Sequence, residues 1–281
     1  MITGSCLCGT VRWRMEPPYL EMNHCHCSMC RKAHAAPFAT HLVVASDQFG
    51  MTDGTDNVTT YKSSPNFQRQ FCSRCGSVVP TPRPNDAIAA PAGCLDDDPG
   101  FRPERHIFAA ETPDWDTIAG TLPRFETFGR AEAPPAINRP DRADGEPGVM
   151  RGSCLCGACT FKATGPLIAV HNCHCSRCRK ARAAAHTTNG FVTPENIKFL
   201  KGEERLRRYK VPEAEFFAQA FCPACGSGLP NIDTMRDRVA IPFGTLDDEP
   251  GRGAADHIFC AFKAPWYDIA DDLPQHDERT G

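Results

Sequence analysis

The stretch HCHCSMC, residues 24–30, returns as NCHCSRC at residues 172–178. Both copies carry the pattern Cys-x-Cys-x-x-Cys and continue into Arg-Lys. A turn entering a helix can aim three sulfurs with that spacing at one centre, so the stretch reads as a metal-ligand trio. The repeat extends outward on both sides. GSCLCG stands at 4–9 and 152–157, FCSRCGS at 71–77 answers FCPACGS at 221–227, and LDDDPG at 95–100 answers LDDEPG at 246–251. HIF recurs at 106–108 and 257–259, Tyr61-Lys62 at Tyr209-Lys210, and Trp115 at Trp266. The separation grows from 148 to 151 residues along the chain, which marks duplication of a whole domain rather than a short solenoid repeat.

The boundaries expected from this repeat are a first domain over 1–125, a Pro/Gly-rich linker over 126–149 and a second domain over 150–281. TVRWRM at 10–15 alternates apolar and polar residues, as do FQRQF at 67–71 and FAQAF at 217–221, which is strand periodicity. With 25 prolines and 22 glycines, long helices are disfavoured, and a short helix is predicted to begin at CSMCRKAHAA, residues 27–36, and at CSRCRKARAAA, residues 175–185. The fold class expected is mainly β: two tandem zinc-braced domains of small antiparallel sheets with few short helices.

Charge and composition narrow the function. A net charge of −3 gives no electrostatic reason to expect nucleic acid. No apolar run is long enough for a membrane span, and MITGSCLCG has no secretory pattern. Seventeen cysteines therefore read as thiols of a reducing, cytoplasmic setting, and clustered thiols there are metal ligands before they are disulfides. Cys94, Cys159 and Cys260 have no counterpart in the other copy and read as small buried hydrophobes.

The shared cysteines divide into two kinds. Cys72 and Cys75, with Cys222 and Cys225, form Cys-x-x-Cys-Gly knuckles. Cys6 and Cys8, with Cys154 and Cys156, most naturally complete two closed four-thiolate sites. Cys25, Cys27 and Cys30, with Cys173, Cys175 and Cys178, form trios that leave one position open for chemistry, unless His26, His24 or a distant residue closes it. Three thiolates suit exchange of a soft ligand better than activation of water. Arg31, Lys32, Arg179 and Lys180 either offset the thiolate charge and attract an anionic substrate or are solvated surface cations. His106 and His257 read as core hydrogen-bonding residues or as groups that orient a metal site. The Asp96-Asp97 and Asp247-Asp248 pairs read as turn residues and caps, and Trp115 and Trp266 as packing anchors or as part of a substrate wall.

Taken together, GSCLCG, CHCSxCRK, FCxxCGS, the Gly-x-Leu-Asp-Asp run and the HIF…Trp tail resemble the glutathione-dependent formaldehyde-activating enzyme family, which also includes centromere protein V. The resemblance covers both copies. It implies a β-tent fold with one structural and one catalytic zinc per domain, four per chain. The structural ligands would be Cys6, Cys8, Cys72, Cys75, Cys154, Cys156, Cys222 and Cys225. The catalytic ligands would be Cys25, Cys27, Cys30, Cys173, Cys175 and Cys178. The implied activity is that of a carbon–sulfur lyase joining glutathione, as co-substrate, to formaldehyde or another small aldehyde. A non-catalytic zinc scaffold for protein partners is the rival reading. Departures from the family pattern are Ala35 and Ala183 in place of a glycine, Thr112 where the second copy has Lys263, and His34 where it has Arg182. The second copy is thus the more family-like, and one half could be catalytic while the other completes a pseudo-dimer.

Overall fold

The computed structural model describes residues 1–128, 146 and 148–279. Most of the expected linker lies outside the described residues. In the first half the strands are β1 (Ile2–Ser5), β2 (Arg12–Met15), β3 (Glu21–Cys25), β4 (Ala39–Ala45), β5 (Phe49–Asp53), β6 (Val58–Ser64), β7 (Phe67–Cys72), β8 (Val78–Val79), β9 (Thr81–Arg83), β10 (Ala87–Pro91), β11 (Arg105–Ile107) and β12 (Arg124–Phe125). One helix, α1 (Ser28–His34), follows β3. The second half repeats the scheme with β13 (Val149–Ser153), β14 (Thr160–Thr164), β15 (Ala169–Cys173), α2 (Ser176–Arg182), β16 (Thr187–Val192), β17 (Ile197–Lys201), β18 (Arg207–Lys210), β19 (Ala218–Phe221), β20 (Gly228–Leu229), β21 (Asn231–Asp233), β22 (Arg238–Pro242) and β23 (Asp256–Ile258).

Each half is three small sheets. In the first half they run β1-β2-β5, β6-β7-β8 and β12-β11-β3-β4-β10-β9. In the second they run β13-β14-β17, β18-β19-β20 and β21-β22-β16-β15-β23. Pairing is antiparallel except that β11 lies parallel to β3 and β12, and β23 parallel to β15. The alternation in β2 works as its sequence predicts: Trp13 and Met15 are buried while Arg12 and Arg14 face solvent. Trp13 needs the bare backbone of Gly4 on the paired strand, because a Cβ there would lie 2.4 Å from the indole. Among the described residues no helix is long and apolar enough to cross a membrane.

The two halves exchange parts across a pseudo-twofold joint, the intramolecular version of an isologous interface. Trp115, in the first half's tail, belongs to the second half's core and meets Phe243 edge-on at 5.4 Å. Trp266 returns the exchange in the first half's core. Tyr61 packs on the second core and Tyr209 on the first. Phe71 presses against Gly226, and Phe221 against Gly76. Gly93 and Gly244 lie directly under the ends of α2 and α1; an added Cβ would stand 2.2 Å from Ala184 N or Ala36 N. The tryptophans are packing anchors, as expected, but each anchors the opposite half. The unshared thiols divide: Cys94 and Cys159 are fully buried, whereas Cys260 is only partly so.

Candidate metal centres

Cys6 and Cys8 lie on the tight turn between β1 and β2, and Cys72 and Cys75 on the turn after β7. Gly9, at φ +70°, and Gly76, at φ +77°, supply the left-handed conformations these turns require. Gly76 N–H donates to Cys72 O at 2.8 Å, closing the knuckle. The four sulfurs, and their counterparts Cys154, Cys156, Cys222 and Cys225, all lie within 4.8 Å of one another. The Cys6–Cys8 and Cys8–Cys72 sulfurs are 3.4 and 3.8 Å apart, and the Cys154–Cys156 and Cys156–Cys222 sulfurs 3.5 and 3.7 Å. None is disulfide-bonded. Sulfurs on a tetrahedral zinc with bonds near 2.3 Å are separated by about 3.8 Å, so both quartets fit that ion. Sharing of hydrogen bonds divides the thiols of each quartet: Cys72 and then Cys75 lower Cys6 to about 7 and Cys222 lowers Cys154 below the thiol range, while Cys75 and Cys222 are themselves pushed up.

Ser77 and Ser227 complete the quartets' surroundings. Ser77 Oγ accepts from Leu7 N at 3.1 Å and lies 3.3 Å from Cys75 Sγ, stitching the two turns together. Ser227 does the same with Leu155 N and Cys225. Both serines stand in the repeated FCxxCGS motif, so the signal was present in the sequence.

The trios stand where β3 and β15 run into the helices. Cys27 is the N-cap of α1 and its Sγ accepts from Cys30 N at 3.3 Å; Cys175 caps α2 in the same way at 3.4 Å. A sulfur in this role satisfies one of the orphan N–H groups at a helix start. The three sulfurs of each trio lie within 4.8 Å of one another and could hold a metal ion. Among the described residues no fourth His, Cys, Asp or Glu joins either trio. His26 Nε2 instead shares a hydrogen bond with His106 Nδ1 at 2.9 Å, and His174 Nε2 with His257 Nδ1 at 2.8 Å. His24 Nδ1 is bound to Thr40 Oγ1. Burial, above all, holds His26 and His174 down to about 3, so they are neutral. Cys173 and Cys178 lower Cys175 to about 3.

The sequence model described as glutathione-dependent formaldehyde-activating enzyme matches residues 1–111 and again 149–262. The chain belongs to that family. A Halomonas elongata protein, provisionally designated a glutathione-dependent formaldehyde-activating enzyme, is 35% identical over 126 residues, covering 41% of this chain and 79% of its own. A Schizosaccharomyces pombe protein named as an uncharacterized lyase is 29% identical over 76 residues, 27% of this chain and 53% of its own. A solved Rhodobacter sphaeroides structure aligns with 35% of this chain and 93% of its own at 22% identity and a TM-score of 0.31.

Of the four cations that follow the trios in this family member, Lys32 and Lys180 pair with the other half. Lys32 Nζ donates to Ser153 O at 3.0 Å and pairs with Asp247 at 2.5 Å in the other half. Lys180 Nζ donates to Ser5 Oγ at 2.5 Å and pairs with Asp96. Both ammonium groups are therefore committed to the joint and turned from the trios. The acidic pairs are correspondingly more than turn residues: Asp97 accepts from Thr3 N and Asp248 from Arg151 N, each at 2.9 Å. Arg31 is buried, and Arg179 is partly so, its guanidinium pulled down by burial. Lys263 Nζ donates to Tyr267 O at 3.0 Å. Ala35 and Ala183 are left-handed helix C-caps, at φ +49° and +53°, which is why glycine is the natural occupant there.

Two residues near the trios, Arg69 and Gln219, escaped the sequence reading. Arg69 Nη2 donates to Cys30 Sγ at 3.6 Å. At the matching position Gln219 accepts from Arg182 Nη1 at 3.3 Å and donates to Cys75 O across the joint. The Arg69/Gln219 and His34/Arg182 differences were visible, but a single sequence does not say that the two positions meet.

Proposed function

We propose that the chain is a zinc-dependent carbon–sulfur lyase-type enzyme that joins a glutathione-like thiol to formaldehyde or another small aldehyde, and runs the reverse. The observation that carries this reading is the pair of three-thiol clusters with no fourth protein donor among the described residues, in a chain of this family. Cys25, Cys27, Cys30 and Cys173, Cys175, Cys178 are the catalytic metal ligands. The quartets hold structural zinc, giving four ions per chain. Zinc bound at a trio would lower the pKa of a thiol entering beside it.

The reaction forms one bond from the thiol sulfur to the aldehyde carbon; the carbonyl π pair moves to oxygen, and the thiol's proton ends there. The protein's part is positioning. The N-capping sulfurs fix the trio on a helix start, and the paired histidines keep their rings bonded to β11 and β23 and away from the sulfurs. Seventeen unpaired thiols suit a cytoplasmic setting.

The test is metal analysis together with turnover of formaldehyde and glutathione. Four zinc ions per chain and turnover that vanishes in the Cys27→Ala/Cys175→Ala double variant are expected. Full turnover in that variant, or four inert ions with no thiol binding, overturns the enzyme reading, and the second result favours a scaffold.

A further inference from the structure

The two trios have the same ligands but different surroundings. Above the second trio opens a cleft of about 930 Å³, lined by Cys175, Arg177, Arg182, Ala218 and Arg238, with Phe262 at its mouth. Such a volume is in the range of small-molecule sites, about 300–1,000 Å³. In the first half the counterparts of part of that lining, among them Phe67, Gln68, Arg69 and Thr81, leave a crevice of about 20 Å³ that none of the trio cysteines lines. That is room for roughly one water.

The replacements that close the first half are specific. Gln68 stands where the second half has Ala218, and Val78 where it has Gly228. Gly228 has no side chain to collide with Arg182, whose Nη1 would lie 1.6 Å from a Cβ there. Arg69 is laid on Cys30. Glu111 accepts from Ser28 N at 2.9 Å, beside the trio, where the second half has Phe262, 51% exposed. Phe128 packs edge-on against Phe108 at 4.7 Å and stacks on Phe67; its counterpart is Arg279.

The open cleft is also basic. Arg236 is paired with Asp233. Arg177, Arg182 and Arg238 have no carboxylate partner among the described residues, and Arg182 is only 8% exposed with a neutral amide as its side-chain partner. Arg182 also feels the Cys178 thiol, so the guanidiniums free to meet an anionic ligand at the cleft wall are those of Arg177 and Arg238. The first half has Met29, His34 and Ala87 at these positions.

We propose that the chain has one substrate site, not two: the second-half cleft admits a carboxylate-bearing thiol to Cys175 and its partners, while the first trio is closed by Arg69, Glu111 and Phe128 and holds its metal without turning over. This rests on the thiol–aldehyde reading above. The test is calorimetric titration of the zinc-loaded full chain with reduced glutathione. One equivalent per chain is expected, lost in Ala218→Trp and unchanged in Gln68→Trp. Arg177→Glu with Arg238→Glu is expected to weaken glutathione about tenfold or more while sparing 2-mercaptoethanol, which has no carboxylate. Two equivalents, uptake surviving Ala218→Trp, or equal weakening of both thiols overturns the inference but leaves the enzyme reading standing. No thiol bound, with no turnover, removes both.

Discussion

His34 shows how one residue serves the half it does not belong to. Its ring is 1% exposed, and Nδ1–H donates to Arg182 O at 2.9 Å and Ala183 O at 3.1 Å, at the end of the other half's helix. Burial lowers its pKa to about 4, against the pull of Cys30. In the unfolded chain a histidine titrates near 6.5. The folded state therefore keeps His34 neutral, and its stabilising contribution is whole above about pH 6.5 and is lost as pH falls from 6.5 towards 4. Removing the donor by His34→Ala should cost about 1–3 kcal/mol at pH 7.5. By pH 5.5 that cost should shrink by about 1.4 kcal/mol, since the variant no longer carries the proton-linked loss. Urea unfolding of the zinc-loaded chain at both pH values measures this, and a cost that grows towards acid would contradict it.

Among the elements, the hairpin of β6 and β7 does two jobs. It delivers Cys72 to its own quartet and sets Tyr61 and Phe71 against the other. The nearby thiols Cys156, Cys225, Cys154 and Cys222, after burial itself, push the Tyr61 hydroxyl's pKa up. A quartet is thus packed by strands from both halves, and the energy of binding its metal is folding energy for both. Cys222→Ser should lower the melting temperature of the whole chain in one transition, followed by calorimetry. An unshifted transition for the first half beside a weakened second would refute the coupling. The element assignments themselves were largely readable: β2 follows two-residue alternation, and α1 and α2 begin just after capping cysteines, whereas β7 and β19 form strands without alternating burial, Gln219, Ala220 and Phe221 all being buried. The short pairings β11 with β3 and β23 with β15 were not readable, because three-residue strands have no period of their own.

On the scale of the molecule, the exchange of Trp115 and Trp266, and of Lys32 and Lys180, makes each half complete only in the presence of the other. Residues 1–128 produced alone with zinc should dimerise through the same face or aggregate, as light scattering after size-exclusion would show; a folded monodisperse monomer would disprove it. The duplication, the mainly β character, the trios and the cysteine pairs were legible in local spacing, since such ligands and a strand's alternation are written within a few residues; that Cys6 and Cys8 meet Cys72 and Cys75, 64 or more residues on, is seen only in the folded chain. Which tail completes which core, where the lysines point, and which trio lies under an open cleft were decided only by tertiary structure. Those features depend on side chains 80 or more residues apart meeting across the joint, and on whether the volume left between them is filled by Gln68 and Arg69 or left open by Ala218 and Gly228.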